Sequence, residues 1–487
     1  STHTFYPLGI SLVLYTYNLF NALISLPLQP FLPLPAISNL TFLLATVLSG
    51  YGTFLFVKYL LTASGSQLTN LSRGNRSDRR IAVLSAFLAP AIAGLIYTFG
   101  SYRMVYAAIG HYDMWSTTWI PLYALFLVKT IREPRLRNAI FAGVFLVLAM
   151  LCEMIFGVLL GMLTLIILAF VAGRRGRADV AGGLPALIRR LLVMGLVATL
   201  LYSPILVPSL GELFGGYELA GWGDAEKLSV DLLGLVTPTA LHPQGGDWAE
   251  TLQQTREGIS RFRDVNTVFL GWASLALAIV GAVRYRRRLA VWITSFVVFA
   301  AFSLGPLLQI NGRSIFDLDG LQVNVPLPFI LLHYIPVVKA NRVPNRFGVV
   351  LMLSLAVLAG FGAYWILKKV ASSKKRTVSL ALVPCTLLLT ALLLYEHWSV
   401  PLPLTDARIP PVYEQVAADP DDYAILQLPM GWRNSFGVQG AESTQTQYYQ
   451  TYHHKRLLSG NISRNPPFKF DYFRQVPILD SLITIQT

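Results

Sequence analysis

Charge is scarce in this chain. Only 13% of its 487 residues are Asp, Glu, Lys or Arg, against about 25% in a typical soluble domain, while 54% are hydrophobic and the mean hydropathy is +0.54. That composition excludes an ordinary soluble enzyme. Acidic residues are the scarcer sign: 25 Asp and Glu against 39 Lys and Arg leave a net charge of +14. Such a surplus suits either nucleic acid or the anionic face of a bilayer, and its placement must decide between them. Cysteine is nearly absent. Cys152 and Cys385 lie far apart in apolar runs, with neither the density of a disulfide scaffold nor a metal-ligand spacing, so both read as small packing residues. No Gly-x-Ser-x-Gly elbow, phosphate-cradling loop, haem-attachment Cys pair or zinc signature occurs, and no haem, flavin or nucleotide cofactor is expected. No repeat of 20 to 50 residues is present, which argues against a solenoid. The chain opens Ser1-Thr2-His3-Thr4 without the basic and short apolar regions of a secretory signal, and its start reads as processed or as lacking upstream residues.

Long apolar runs fill the space that charge leaves. Crossing about 30 Å of hydrocarbon takes roughly 20 mostly apolar residues, and ten segments qualify or nearly do: 37–61, 81–100, 117–131, 138–151, 154–171, 191–207, 266–283, 289–304, 347–367 and 378–394. The expected fold is an all-α polytopic membrane protein of about ten transmembrane helices. Five connections are basic, holding Arg73 to Arg80, Arg132 to Arg137, Arg174 to Arg190, Arg284 to Arg288 and Lys368 to Arg376. They are every second connection. Basic residues in short loops stay on the cytoplasmic side, so the surplus is topogenic, nucleic acid is not expected as a partner, and the bilayer is. This places residues 1–36 outside, together with loops 101–116, 208–265 and 305–346 and the region 396–487; residues 37–395 form the bundle. Pro27, Pro30, Pro33 and Pro35 argue for an interfacial helix and an extended stretch rather than one span. The polar region from Glu396 is expected to be a small α+β extracytoplasmic unit, with a helix over Pro410 to Ala418 and a buried strand over Tyr423 to Leu428.

Ionisable groups at the outer edge of an apolar bundle are costly, and so they are the first functional candidates. His111 and Asp113, with Arg103 shortly before, can bind a divalent cation such as Mg or Mn, orient a phosphate-bearing ligand, or transfer a proton; the bland alternative is a polar turn anchored by Trp115 and Trp119 in the aromatic belt. Glu153 separates two apolar runs with almost no loop, and reads as catalytic, metal-binding or simply a solvated turn. Arg342 and Arg346, in Lys339 to Phe347, run against the positive-inside trend. Arginine forks match phosphate oxygens and a helix N-terminus adds a positive dipole end; the alternative is a pair tied to headgroups or outer carboxylates. Weaker signals are the Asp317-Leu318-Asp319-Gly320 stretch, a polar turn by default; His242, Asp247 and Glu250 in a loop expected over a cavity mouth; and His453-His454-Lys455-Arg456 after three tyrosines, a candidate surface for substrate or partner.

Several short motifs taken in order carry a resemblance: Phe5-Tyr6-Pro7-Leu8-Gly9, Gly110-His111 with Trp115-Ser116-Thr117 and Trp119-Ile120-Pro121-Leu122, Ser303-Leu304-Gly305-Pro306, Arg342-Val343-Pro344-Asn345-Arg346-Phe347 and Leu426-Gln427-Leu428-Pro429. Together they resemble prokaryotic membrane proteins of the GT-C glycosyltransferase superfamily. The resemblance implies a helical bundle in the prokaryotic plasma membrane with an outward active site that uses a polyprenyl-phosphate sugar. It implies a carboxylate role for Asp113 or Glu153, phosphate contacts from Arg342 and Arg346, and orientation or metal contact from His111. Such enzymes place an acidic residue in a loop after a first span, and here the chain opens where that loop would already be under way. A complete chain is therefore expected to be inactive, and a fragment to have its key carboxylate upstream. The alternative reading is a noncatalytic GT-C-like subunit of a larger membrane complex; a transporter is disfavoured by the missing repeat and by charge gathered at the edges.

Overall fold

A computed structural model describes residues 1–13, 18–62, 76–173, 180–215, 225–243, 268–335, 338–371, 382–433, 438–441, 443–462 and 468–486. Arg73, Arg174, Arg175, Arg177, Lys374, Lys375, Arg376, Asp247 and Glu250 lie outside them. Two compact units result: Ser1–Thr16 with Ser203–Gly223 and Leu404–Thr487, and Tyr17–Tyr202 with Asp224–Pro403. Residues 1–13 thus belong with the C-terminal region and not with the residues that follow up to 36.

The larger unit is helical. Its described helices are α1 (Leu19–Ser25), α2 (Leu34–Thr62), α3 (Arg76–Phe99), α4 (Ser101–Ala108), α5 (Tyr112–Trp115), α6 (Trp119–Arg132), α7 (Leu136–Cys152), α8 (Ile155–Ala172), α9 (Gly183–Phe214, which runs on into the other unit), α10 (Trp272–Arg284), α11 (Ala290–Ser303), α12 (Gly348–Ala371) and α13 (Leu382–Glu396). Each of the ten apolar segments coincides with one of these. Among the described residues five stretches are long and apolar enough to cross a membrane: Leu34–Thr62, Ser85–Ala108, Ile155–Ala172, Gly183–Phe214 and Pro344–Val370. The other apolar helices are shorter, at 10–17 residues, because Glu153, Tyr285 to Arg288 and similar breaks stop them. Burial ranks the five. The apolar window of Pro344–Val370 is 83% buried and that of Gly183–Phe214 only 17%, so α12 is the central post and α9 a peripheral one. Between apolar helices, small residues allow the closest approach. A Cβ on Gly362 would lie 1.9 Å from the Leu277 carbonyl oxygen, and one on Gly281 2.1 Å from that of Leu358; the two glycines let α10 and α12 meet backbone to backbone.

The described basic residues of these connections gather at one end of this unit. The Arg288 guanidinium donates to the Leu60 carbonyl at the end of α2, and Lys129 sits over the Tyr59 ring at 5.1 Å. Arg190 donates to the Glu133 and Ala181 carbonyls, and Arg284 and Lys369 share the Trp365 ring at 4.5 and 5.1 Å. The opposite ends of α6, α7 and α12 lead to residues 111–118, Glu153 and Arg346. Charge is thereby sorted by helix direction before any site is assembled.

At that second end a hairpin of β1 (Phe316–Leu318) and β2 (Leu321–Val323) turns through Asp319 and Gly320, both at positive φ, with Asp317 accepting the Gly320 N–H at 2.6 Å. The Asp-x-Asp stretch is this exposed turn. Its root is held by Asp231, which is buried and accepts the Leu233, Asn311 and Gly312 N–H groups.

The smaller unit mixes helices and short strands: α14 (Val412–Ala418), β3 (Ala424–Ile425), β4 (Gly431–Arg433), β5 (Val438–Gly440), α15 (Gln445–His453), β6 (Arg456–Leu457), β7 (Gly460–Asn461), α16 (Phe468–Gln475) and α17 (Pro477–Gln486). β4 lies between antiparallel β5 and parallel β7, and β3 pairs in parallel with β6. Phe5, Met430, Trp432 and Phe473 form its core, because the N-terminal residues run alongside β6: the Leu457 N–H donates to the His3 carbonyl and the Tyr6 N–H to that of Leu457.

Three expectations are corrected. The strand over Tyr423 to Leu428 shrinks to Ala424–Ile425 and is only half-buried, because Pro429 and its neighbours turn the chain. Cys385 is exposed on α13, and only Cys152 packs in the interior. His453 is buried, stacked 5.3 Å from Tyr413, and Lys455 is spent on the Asp419 and Asp421 carbonyls, so this stretch is internal framework more than an open surface.

Candidate functional site

The site grows from the short break between α4 and α6. Gly110, at φ +74°, turns the chain so that the His111 N–H reaches back to the Tyr106 carbonyl at 2.9 Å. The single turn of α5 that follows is pinned by Trp115, which stacks on Phe42 at 4.2 Å and 7° and donates from Nε1 to the Phe42 carbonyl. Arg103 lies over the other face of that indole at 4.0 Å. Its fork donates to the Trp115 and Thr98 carbonyls, and its side chain is buried. Arg103 is therefore a brace for the Asp113 turn and stands apart from the other candidates. Trp115 is likewise interior, not a belt residue.

Glu153 is the extended residue that separates α7 from α8. Arg346 comes from a 3-10 turn, Pro344–Phe347, that opens α12. These two meet with Arg346 Nη1 3.4 Å from Glu153 Oε1, their side chains 16% and 2% exposed. Arg346 Nε is buried and has no hydrogen-bond partner among the described residues, leaving one edge of the fork able to donate. His111 Nδ1 lies 3.8 Å from Asp113 Oδ1, with side chains 31% and 18% exposed. Asp113 and Glu153 are themselves within hydrogen-bonding reach. Burial by itself would raise the Asp113 carboxyl, but His111, Arg346 and the contact with Glu153 outweigh it and hold the group below the ordinary carboxylate range. Four candidates, His111, Asp113, Glu153 and Arg346, are thus brought into one cluster from three segments of chain. Arg342 is half-buried four residues before Arg346.

Such a cluster joins an ionised carboxylate to a guanidinium, each with less than about a fifth of its side chain exposed. It can accept a proton and, a few ångströms away, hold an anionic oxygen. Among the described residues no three His, Cys, Asp or Glu side chains gather closely enough to hold a metal ion.

Three residues that sequence reasoning passed over complete the surroundings. Tyr106 donates to Asn345 Oδ1 at 2.9 Å, and Tyr102, one turn earlier, packs where a Cβ on Gly348 would fall 2.6 Å from its ring. The tyrosine pair four residues apart, on a helix adjoining the candidate loop, was the available signal.

A separate buried group joins α4, α10 and α13. Glu396 accepts from the Ala273 N–H, the Ser274 N–H and the Ser274 hydroxyl at 2.7, 3.0 and 2.6 Å, satisfying orphan donors at the N-terminus of α10. His397 Nδ1 lies 3.0 Å from Ser101 Oγ. Burial, aided by His242, pushes the His397 imidazole down to about 3; Glu396 is 3.7 Å away, but its charge is already engaged by the three donors. His242 is itself buried, with Nε2 2.8 Å from the Tyr395 carbonyl oxygen, so it does not face a cavity mouth. These groups are fastenings between helices.

Comparison with protein-family models gives no match, and comparison with curated proteins gives none either.

Proposed function

We propose that the chain is a membrane-embedded glycosyltransferase that moves a sugar from a polyprenyl-phosphate donor to an acceptor on the extracytoplasmic face of a prokaryotic plasma membrane. The observation that supports this most is the convergence of Asp113, Glu153 and Arg346 at the end of the helical unit opposite its basic residues. By the positive-inside rule that end faces outward, with the C-terminal region on the same side, and a bundle of about ten spans is the matching topology. In this reading Asp113 takes the proton from the acceptor hydroxyl as its oxygen attacks the anomeric carbon. The bond from that carbon to the phosphate oxygen breaks, and the departing lipid phosphate is stabilised by Arg346, whose free Nε edge suits it. Glu153 holds the guanidinium in place, His111 orients Asp113, and Arg342 extends the positive surface.

A second reading, a noncatalytic GT-C-like subunit of a larger membrane complex, is favoured by the closed Glu153–Arg346 contact, which already satisfies part of the arginine. The test supplies polyprenyl-phosphate sugars to the purified full chain in lipid nanodiscs and follows release of lipid phosphate. Arg346→Ala and Asp113→Asn are each expected to lower turnover by on the order of 100-fold, the effect of losing one charged group that acts in the transition state. Turnover in both variants equal to that of the unaltered chain would overturn the assignment, and no turnover with tight binding of membrane partners would favour the subunit.

A further inference from the structure

The two halves of the cluster are carried by chain segments more than 230 residues apart, and one side chain touches both. Tyr106 is buried. Its carbonyl accepts the His111 N–H at 2.9 Å and its ring packs 5.9 Å from the imidazole. Its hydroxyl donates to Asn345 Oδ1 at 2.9 Å, one residue before Arg346, and the Asn345 N–H in turn donates to the Leu228 carbonyl at 3.3 Å. Asn345, also buried, lies in the Pro344–Phe347 turn.

We propose that Tyr106 is the positioning residue of this site, bracketing the His111–Asp113 turn against the Arg346 turn so that carboxylate and guanidinium stand a fixed distance apart. The proposal rests on the reading of Arg346 as the phosphate-binding group. It assigns Tyr106 no contact with substrate. A phenol suits the task because the rigid ring spans the gap while a single hydroxyl fixes the far end, and loss of that hydroxyl leaves the packing intact while freeing the turn to rotate.

The experiment uses the full chain in lipid nanodiscs and undecaprenyl phosphate as the probe, with binding measured for the unaltered protein, Tyr106→Phe, Arg346→Ala and the double variant. Tyr106→Phe is expected to weaken binding about tenfold, the effect of one buried hydrogen bond. In the Arg346→Ala background the same change is expected to do nothing, because the hydroxyl acts only through the guanidinium. Asn345→Ser, which removes the same bond from the other side, should weaken binding to the same extent and should not add to Tyr106→Phe. If Arg346→Ala weakens binding but Tyr106→Phe does not, or weakens it equally with and without Arg346, the positioning role is overturned and the phosphate reading stands. If Arg346→Ala binds like the unaltered chain, the phosphate reading falls and the positioning role with it.

Discussion

The Glu153–Arg346 contact gives the most searching test of how the cluster is held. At 3.4 Å and an effective dielectric constant of about 20, the Coulomb attraction is about 5 kcal/mol. Drawing the two groups out of water costs several kcal/mol, and Glu153 is nearly fully buried whereas Arg346 keeps 16% of its side-chain surface exposed. The net coupling should therefore be well below the Coulomb figure, about 2 kcal/mol. Removing only one partner strands a buried charge: Glu153→Gln or Arg346→Met alone should cost about 3 kcal/mol. The double variant should cost clearly less than the sum of the two. The assay is a double-mutant cycle by thermal unfolding in one nanodisc composition. A coupling below about 0.5 kcal/mol, within the additivity expected of independent sites, would show that the two side chains meet without depending on one another, and the role given to Glu153 would have to be abandoned.

Stability should fall on acidification through His397. Its imidazole is held down at about 3 when folded and returns to about 6.5 when unfolded. Between those values the unfolded chain binds the extra proton, so the contribution is complete above about pH 6.5 and is lost as the pH falls towards 3, at up to about 1.4 kcal/mol per pH unit. Comparing unfolding at pH 7.5 and 5 for the unaltered chain and His397→Gln checks this; an identical pH response in both refutes it. Gly362→Ala should destabilise by about 3 kcal/mol or more, since its Cβ would meet the Leu277 carbonyl, while Gly161→Ala, with nothing within 4 Å, should leave the unfolding temperature nearly unchanged. Arg103→Lys should lower the unfolding temperature, because a lysine cannot reproduce the forked contacts to two carbonyls, yet it should leave the affinity for undecaprenyl phosphate within about twofold of the unaltered chain; a loss comparable to that of Arg346→Ala would return Arg103 to the site.

The positions of the apolar helices were legible in the chain itself, because hydropathy and helix-breaking residues act over one turn or one span and need no partner. That the described basic residues of alternate connections gather at one end was legible for the same reason: each helix reverses direction, so parity along the chain becomes side in space. Local signals also placed the Asp317–Gly320 turn and the helix at Val412–Ala418. What the linear order could not decide was which charges meet. Arg103 and Arg346 look alike in sequence, each near an apolar run, and only packing puts one over the Trp115 ring between carbonyls and the other against Glu153. The same holds for Phe5, which fills the core of the C-terminal unit, and for Tyr106, whose hydroxyl finds a partner 239 residues away. Such contacts join segments that are neighbours only after the helices have packed, and their energy depends on burial, a property no single stretch of chain possesses alone.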